Sequence, residues 1–468
     1  MSAMTGGLWA ADRRALTGGL VLTITFVAAE ALAVVTVMPV VARDLGGLSL
    51  YGWVFSAFML GTVIGIVAAG READRRGPAV PYIAGLILFA VGLTVAGLAP
   101  SMLVLVVGRV LQGLGAGAMP AVSYVAIGRS LPERLRAKMM AVLSTAWVAP
   151  GLAGPALSAE VARLFGWRWI FLGLLPIVAV TGSFAIPALL RLGRPRELPV
   201  QGHRLADGIG VAVGAALILA GLTLAAGSGH RLAGAGLVVV GAAIGLPVLR
   251  RLLPAGAFTA QPGLPATILS RGLLTFAFFG ADAYVTLSIT TVRQQSTVLA
   301  GVAVTGSTLA WTAGAWVQAR LSERWEGRRL VRIGLVIILI GVAGMVLVLH
   351  HGVPVAEGIA AWTVAGLGMG LAYAPTTLMM LRAAPPGREG WASASLSLAD
   401  VLGTAMGIGV GGAAVAAGAS AGRALSGGIT VSFAIAAAAG LLALAVSRRL
   451  PAGRTGPDRA AEPELTPT

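Results

Sequence analysis

Residues 109–120 read Arg109-Val110-Leu111-Gln112-Gly113-Leu114-Gly115-Ala116-Gly117-Ala118-Met119-Pro120, and residues 366–375 read Gly366-Leu367-Gly368-Met369-Gly370-Leu371-Ala372-Tyr373-Ala374-Pro375. Each stretch sits in an apolar run long enough to cross a hydrocarbon core, which takes about 20 residues of helix. Each carries the same Gly-Leu-Gly-x-Gly core followed by a proline. The pairs Gly113/Gly117 and Gly366/Gly370, like Gly61/Gly65 in an earlier run, are small-xxx-small patterns that let two helices approach closely. The first stretch also buries an arginine. A duplicated membrane helix with a charge in one copy is the pattern from which the fold is read.

Working outward, two further patterns recur in register. Phe26-x-x-Ala29-Glu30-Ala31 in the first apolar run matches Phe278-x-x-Ala281-Asp282-Ala283 in the ninth, with the acid at the same place. The second run ends in Gly70-Arg71-Glu72-Ala73-Asp74-Arg75-Arg76-Gly77, and the tenth in Ala319-Arg320-Leu321-Ser322-Glu323-Arg324-Trp325-Glu326-Gly327. Three patterns at matching helix numbers imply two related halves. Internal repeats of this kind mark secondary transporters, with a site near the bilayer midplane between the halves.

The composition agrees. Of 468 residues, 57% are hydrophobic and only 11% charged, against about 25% charged in a soluble domain. Fourteen transmembrane helices are predicted, at approximately 16–41, 50–70, 78–99, 101–128, 138–163, 168–191, 205–228, 233–250, 268–292, 296–319, 331–349, 354–381, 389–418 and 426–447. The fold class is therefore an all-α polytopic membrane protein. It divides into a six-helix half at 1–200, two inserted helices at 201–254, a second six-helix half at 255–447 and a disordered tail at 448–468. The first span follows Asp12, Arg13 and Arg14 without a small-residue cleavage site, and it reads as a retained helix.

The net charge of +16 follows from topology. With both termini inside, only Arg43, Arg163, Arg168, Arg231, Arg293 and Arg423 fall on the outer side, and Arg109 lies within a span. The remaining Lys and Arg all fall in the cytoplasmic segments and adjoining span ends, as the positive-inside rule requires. Nucleic-acid binding is not expected. Zero cysteines exclude disulfides and thiol chemistry, and His203, His230, His350 and His351 form no metal-ligand spacing. No cofactor or metal is expected.

The chain resembles the major facilitator superfamily, and within it the fourteen-helix drug:proton antiporters. The stretch from Gly70 to Gly77 is similar to the superfamily's signature loop, with Gly70, Asp74, Arg75 and Gly77 kept and Pro78 where a basic residue is usual. Arg109 through Gly115 resembles the arginine motif assigned to proton coupling. Gly154-Pro155 and the turn Gly166-Trp167-Arg168-Trp169-Ile170-Phe171 to Pro176 resemble the exporter motif and its extension. Pro150 stands in place of that motif's first glycine, Ser158-Ala159 in place of its Gly-Gly, and Leu174 in place of an asparagine. Glu30, nine residues before Pro39, stands where the family has an aspartate.

Physical chemistry selects the same positions. An ionised side chain at the bilayer centre costs about 2.5–3.5 kcal/mol on the most lenient scale, and Glu30, Arg109, Asp282 and Asp400 all sit mid-span. They must face a polar cavity or one another. Glu30 and Asp282 each read as a proton carrier, a cation ligand or a structural partner of an arginine. Asp400 lines the cavity or pairs across a helix contact. Arg109 cannot deprotonate; it either tunes a neighbouring acid or packs against polar groups, with Gln112 one turn away. The stretch Gly70, Asp74, Arg75, Gly77 is an ordinary cytoplasmic loop or a latch that forms and breaks. Among aromatic and thioether residues, Trp147, Phe278, Tyr284, Trp311 and Met379 are candidates, with Gln112, to line a substrate cavity.

The resulting expectation is a monomeric proton antiporter of a bacterial cytoplasmic (inner) membrane, exporting hydrophobic compounds, cationic ones included. Its partners are that small substrate, protons and the bilayer. Export of a native lipid or metabolite, and proton-coupled uptake, stay open. An enzyme is not expected, since no phosphate loop, His-Glu-x-x-His helix or Gly-x-Ser-x-Gly elbow stands at a plausible depth.

Overall fold

A computed structural model describes residues 7–10, 13–131, 148–192, 205–227, 230–322, 324–385, 389–420 and 424–452, with scattered positions between 132 and 147. Trp147, most of the C-terminal tail and the side chains of Asp74 and Pro120 lie outside the described residues. Among the described residues there are fourteen principal helices: α1 (Arg14–Leu45), α2 (Tyr51–Arg76), α3 (Ala79–Gly97), α4 (Met102–Ser130), α5 (Val148–Phe165), α6 (Leu175–Leu190), α7 (Leu205–Ala225), α8 (Arg231–Leu252), α9 (Leu264–Leu287), α10 (Thr297–Leu321), α11 (Gly327–Val348), α12 (Val355–Ala383), α13 (Glu389–Ser420) and α14 (Leu425–Val446). A short helical turn, Arg168–Leu172, leads into α6. Among the described residues, thirteen helical segments are long and apolar enough to cross a membrane. Of α5, the described part begins at Val148.

Local chemistry sets the helix ends. Ser101 caps α4 by accepting from the Val104 amide, and Ser296 caps α10 by accepting from the Leu299 amide, each satisfying one orphan donor of the first turn. Pro176 and Pro265 sit in the first turns of α6 and α9, where a missing N–H costs nothing. The stretch Gly70–Arg76, expected as a loop, is the last two turns of α2. Glu72 and Arg76 pair there at 2.7 Å across one helical turn, which supports the helix. Gly77, at φ 88°, ends it.

Packing repeats between the first six helices and the last six. α4 packs on α2 and α3, and α12 on α10 and α11; α1 packs on α5 and α6, and α9 on α13 and α14. α2 meets α13, and α5 meets α10, across the two sets. Gly113 and Gly366 make the equivalent close approaches. A Cβ at Gly113 would run into the Phe58 carbonyl of α2, and one at Gly366 into the Ser307 carbonyl of α10. α7 and α8 pair with each other, and α7 rests on α2 and α13. Burial separates core from rim: 72% of the apolar window is buried in α9 and in α13, against 17% in α8.

Candidate functional site

The mid-span charges, buried or half-buried, fall into three clusters. In the first, α1 and α4 bring Glu30 and Arg109 together, at 0% and 2% exposure. Arg109 donates through Nη1 to Glu30 Oε1 and, at 2.7 Å, to Gln112 Oε1. Its Nε donates to the Val54 carbonyl at 3.0 Å, and its guanidinium lies 4.2 Å from the centre of the Phe58 ring. Gln112 follows Arg109 by three residues, so it shares the same helix face. Glu30 Oε2 and Gln112 Nε2 have no hydrogen-bond partner among the described residues. Glu30, Arg109 and Gln112 therefore form one buried unit, in which the carboxylate is compensated by a fixed cation.

In the second cluster, Asp282 of α9 accepts a 2.8 Å hydrogen bond from Trp362 Nε1 of α12. Trp362 is fully buried and stacks on Phe278 with ring centres 5.2 Å apart. Phe278 lies edge-on to Trp311 at 5.6 Å, and Trp311 lies 5.4 Å from Tyr373. An aromatic run thus leads from Asp282 toward the third cluster.

That third cluster was not legible as a unit. Asp400 of α13 accepts from the Tyr373 hydroxyl at 2.8 Å, and its carboxylate lies 3.9 Å from the Arg271 guanidinium of α9. Arg271 is 1% exposed, stacks on the Tyr373 ring and donates to the Tyr373 carbonyl and the Thr377 hydroxyl. Asp400 keeps 26% of its side chain exposed while it pairs with Arg271 across the α9–α13 contact. Arg271 carries no mark in the sequence, because it lies within two turns of the start of α9, where basic residues are ordinarily topological.

The remaining candidates are placed as follows. Tyr284 is fully buried and donates at 2.6 Å to the Ile408 carbonyl of α13. Phe278 and Met379 are buried, and Trp311 is half-buried. In α5, Pro155 lies against Gly301 of α10, a Cβ at Gly154 would come within 3.9 Å of Leu32 of α1, and Pro150 is buried. Gly70 and Arg75 lie on α2 near its exposed end, with Gly77 closing it. No group of three or more metal-ligand side chains occurs among the described residues. A cavity of about 340 Å³ between α8, α9 and α13, lined by apolar residues such as Leu249, Phe258, Phe276 and Met406, holds none of the ionisable residues.

The two helix sets meet toward one face, the face that carries Asp44. There Thr286 of α9 bonds to Val35 of α1, and Ser56 of α2 donates to the Ala405 carbonyl of α13 at 2.8 Å. Gly52 of α2 lies against Gly412 of α13, beside the Tyr284 hydroxyl. On the same face Asp44 accepts from Trp167 Nε1 at 2.8 Å and from Arg168 at 3.1 Å. This ties the end of α1 to the Gly166–Phe171 turn.

Comparison with known proteins accords with this geometry. The family model described as Major Facilitator Superfamily matches residues 19–408. A probable multidrug-efflux transporter of Mycobacterium tuberculosis is 27% identical over 444 residues, covering 92% of each chain. The multidrug transporter protein MdtP of Bacillus subtilis is 31% identical over 189 residues, covering 40% of this chain and 35% of its own. Among solved structures, the E. coli xylose transporter XylE in a partially occluded inward-open conformation aligns with a TM-score of 0.61 at 14% identity, covering 92% of this chain and 96% of that one. A bacterial homologue of the human lysosomal transporter Spinster, inward-facing and unoccupied, aligns at 0.64 and 14% identity, covering 94% and 98%.

Proposed function

The chain belongs to the Major Facilitator Superfamily, and from that premise we propose that it is a proton-coupled antiporter exporting hydrophobic compounds, cationic ones included, by alternating access. The observation that carries the reading is the fully buried Glu30–Arg109–Gln112 unit, together with a second, half-buried acid at the repeat-equivalent position, Asp282. Charges held at this depth are costly and mark ion or proton pathways. The multidrug-efflux names of the relatives support the substrate class.

In this reading two six-helix halves, 1–200 and 255–447, rock about the site, with 201–254 as a peripheral pair. The membrane is a bacterial cytoplasmic membrane with both termini inside, and the protein works as a monomer. The face carrying Asp44 is then the outer face, and contacts there close it, leaving the inward-facing state. The stretch from Gly70 through Asp74 and Arg75 to Gly77 is the cytoplasmic gate. An exposed ion pair contributes about 0–1 kcal/mol, weak enough to break in each cycle. The driving force is adequate. One proton crossing 100 mV supplies about 2.3 kcal/mol, and one pH unit adds about 1.4 kcal/mol. At one proton per cycle that sustains roughly a hundredfold to several-hundredfold gradient of a neutral substrate.

Purified protein in liposomes with an imposed pH gradient tests the reading, with ethidium as the lipophilic cation. Accumulation against its gradient, driven by protons moving the opposite way, is expected. Movement that ignores the pH gradient, or that runs with the protons, overturns it. One observation favours a second reading, export of a native lipid. The apolar cavity between α8, α9 and α13 has the chemistry of an acyl-chain slot.

A further inference from the structure

The two helix sets carry their acids against chemically different partners. Arg109 stands four residues before Gly113, and Trp362 four residues before Gly366. The two glycines hold equivalent contacts, Gly113 on α2 and Gly366 on α10. Trp362 therefore occupies in α12 the register position that Arg109 occupies in α4. Glu30 and Asp282 are likewise matched by the shared Phe-x-x-Ala-acid-Ala pattern. Each acid is bonded to the residue at that matched position: Glu30 to a guanidinium, Asp282 to an indole N–H. The guanidinium is a permanent cation, whereas the indole is a neutral donor.

The surroundings of Asp282 do not restore the missing charge. α14 carries no ionisable side chain along its length, and Arg320 of α10 stands at the opposite end of that helix. On α13, Asp400 is engaged by Tyr373 and Arg271, and Arg271 itself lies three turns before Asp282 on α9. α12 presents Trp362, with Glu357 and Arg382 near its ends. α11 has its arginines, Arg328, Arg329 and Arg332, in its first two turns. From the other set, α1 presents Glu30, already bonded to Arg109, and α2 presents the phenol of Tyr51 within electrostatic reach. Among the described residues, the hydrogen bond from Trp362 is what holds the Asp282 carboxylate.

We infer that Asp282 is the carboxyl that takes up and releases the transported proton, that Glu30 stays ionised against Arg109, and that Trp362 is the positioning residue that permits this division. This rests on the antiporter reading. Asp282 is half-buried, and a carboxylate withdrawn from water without a fixed counter-charge is costlier to keep ionised than one paired with a cation, so it is the one relieved by a proton. In the step itself, one Asp282 oxygen forms an O–H bond with a proton delivered by water from one side. The bond breaks toward water on the other side after the halves rock. No electrons move and nothing else is consumed. The indole N–H bonds the carboxylate before uptake and still meets a carbonyl-type oxygen afterwards, so Trp362 does not have to move.

The test uses the full-length protein in liposomes, with ethidium as substrate and protons counted by an entrapped pH indicator. Wild type must first couple the two fluxes; if it does not, the antiporter reading fails and this inference with it. Given coupling, Asp282→Asn is expected to lose pH-gradient-driven accumulation at least tenfold, while labelled ethidium still equilibrates across the bilayer. Its ethidium binding should release no proton. Trp362→Arg, which installs the missing cation, should uncouple in the same way. Trp362→Phe keeps the ring on Phe278 without adding charge, and it should remain coupled with an altered pH profile. Undiminished proton release in a folded Asp282→Asn overturns the assignment. Uncoupling by Trp362→Phe to the same extent as by Trp362→Arg overturns the role given to Trp362. Should Trp362→Arg fail to fold, Asp282→Asn and Trp362→Phe carry the decision between them.

Discussion

Thr286 of α9 donates a 2.9 Å hydrogen bond to the main-chain carbonyl of Val35 in α1. That carbonyl lies four residues before Pro39, which sits inside α1 and has no N–H to offer it. The proline thus frees an acceptor within the first helix set, and the second set supplies the donor. In an apolar environment an unpaired carbonyl is costly. The bond therefore favours the arrangement in which the two sets are closed at the face carrying Asp44.

Thr286→Val preserves shape and removes the donor. The closed arrangement should lose about 0.5–1.5 kcal/mol, a roughly two- to tenfold change in the population ratio. The native chain has no cysteine, so spin labels on cysteines placed in the α1–α2 and α9–α10 loops report the distance without background. A wider distribution is expected. An unchanged one would mean that the bond does not contribute to closure.

The Glu30–Arg109 pair predicts an asymmetry between single and double variants. Arg109→Met leaves a buried carboxylate without its cation and should destabilise the protein by about 3–5 kcal/mol, whereas Glu30→Met with Arg109→Met removes both charges and should recover much of that loss. Thermal unfolding in detergent measures both. Neither variant is expected to transport. A double variant no more stable than the single one would argue against charge compensation.

Gly113→Ala and Gly366→Ala probe the equivalent helix crossings. Each added methyl meets a backbone carbonyl, Phe58 or Ser307, that cannot rotate away. Overpacking at such contacts costs about 1–3 kcal/mol. Both variants should lower the unfolding temperature and slow transport, whereas alanine at Gly70, where a Cβ meets nothing within 4 Å, should leave folding unchanged.

At the third cluster, Arg271→Gln retains a side chain able to donate toward the Tyr373 carbonyl but removes the cation beside Asp400. The fold should survive while the pH profile of transport shifts, because the Asp400 carboxylate then has lost its nearest fixed charge. Asp400→Asn should abolish that difference between wild type and Arg271→Gln. A pH profile identical in wild type and both variants would remove this cluster from proton or cation handling.

Much of the architecture was readable from one dimension. Membrane helices of about 20 residues have a strong composition signal because the bilayer leaves the backbone no partner except itself. The repeat was legible because the glycine spacing and the acid in α1 and α9 survive in both copies. The charged run Gly70–Arg76 reads as loop in the sequence, whereas in the structure Glu72 and Arg76 pair across one turn and α2 continues through it. Arg271 and Trp362 carry no distinguishing local mark in one dimension. Arg271 stands near a span end, where basic residues are ordinary, and an apolar span gives a tryptophan no reason to stand out. The offset between Arg109 and Gly113, carried over to Gly366, was the signal that would have singled out Trp362.

The sequence by itself determined the class, the number of spans and the depth of Glu30, Arg109, Asp282 and Asp400, because those depend on local composition and on distance from helix ends. Which charge meets which partner was decided only by the tertiary structure. Pairing across helices depends on rotation and contact distance, and residues as far apart in the chain as Arg271 and Asp400, or Thr286 and Val35, carry no local mark of their contact. That Glu30 faces a cation while Asp282 faces a neutral indole is a fact of packing, and the proposed division of labour between the two acids rests on it.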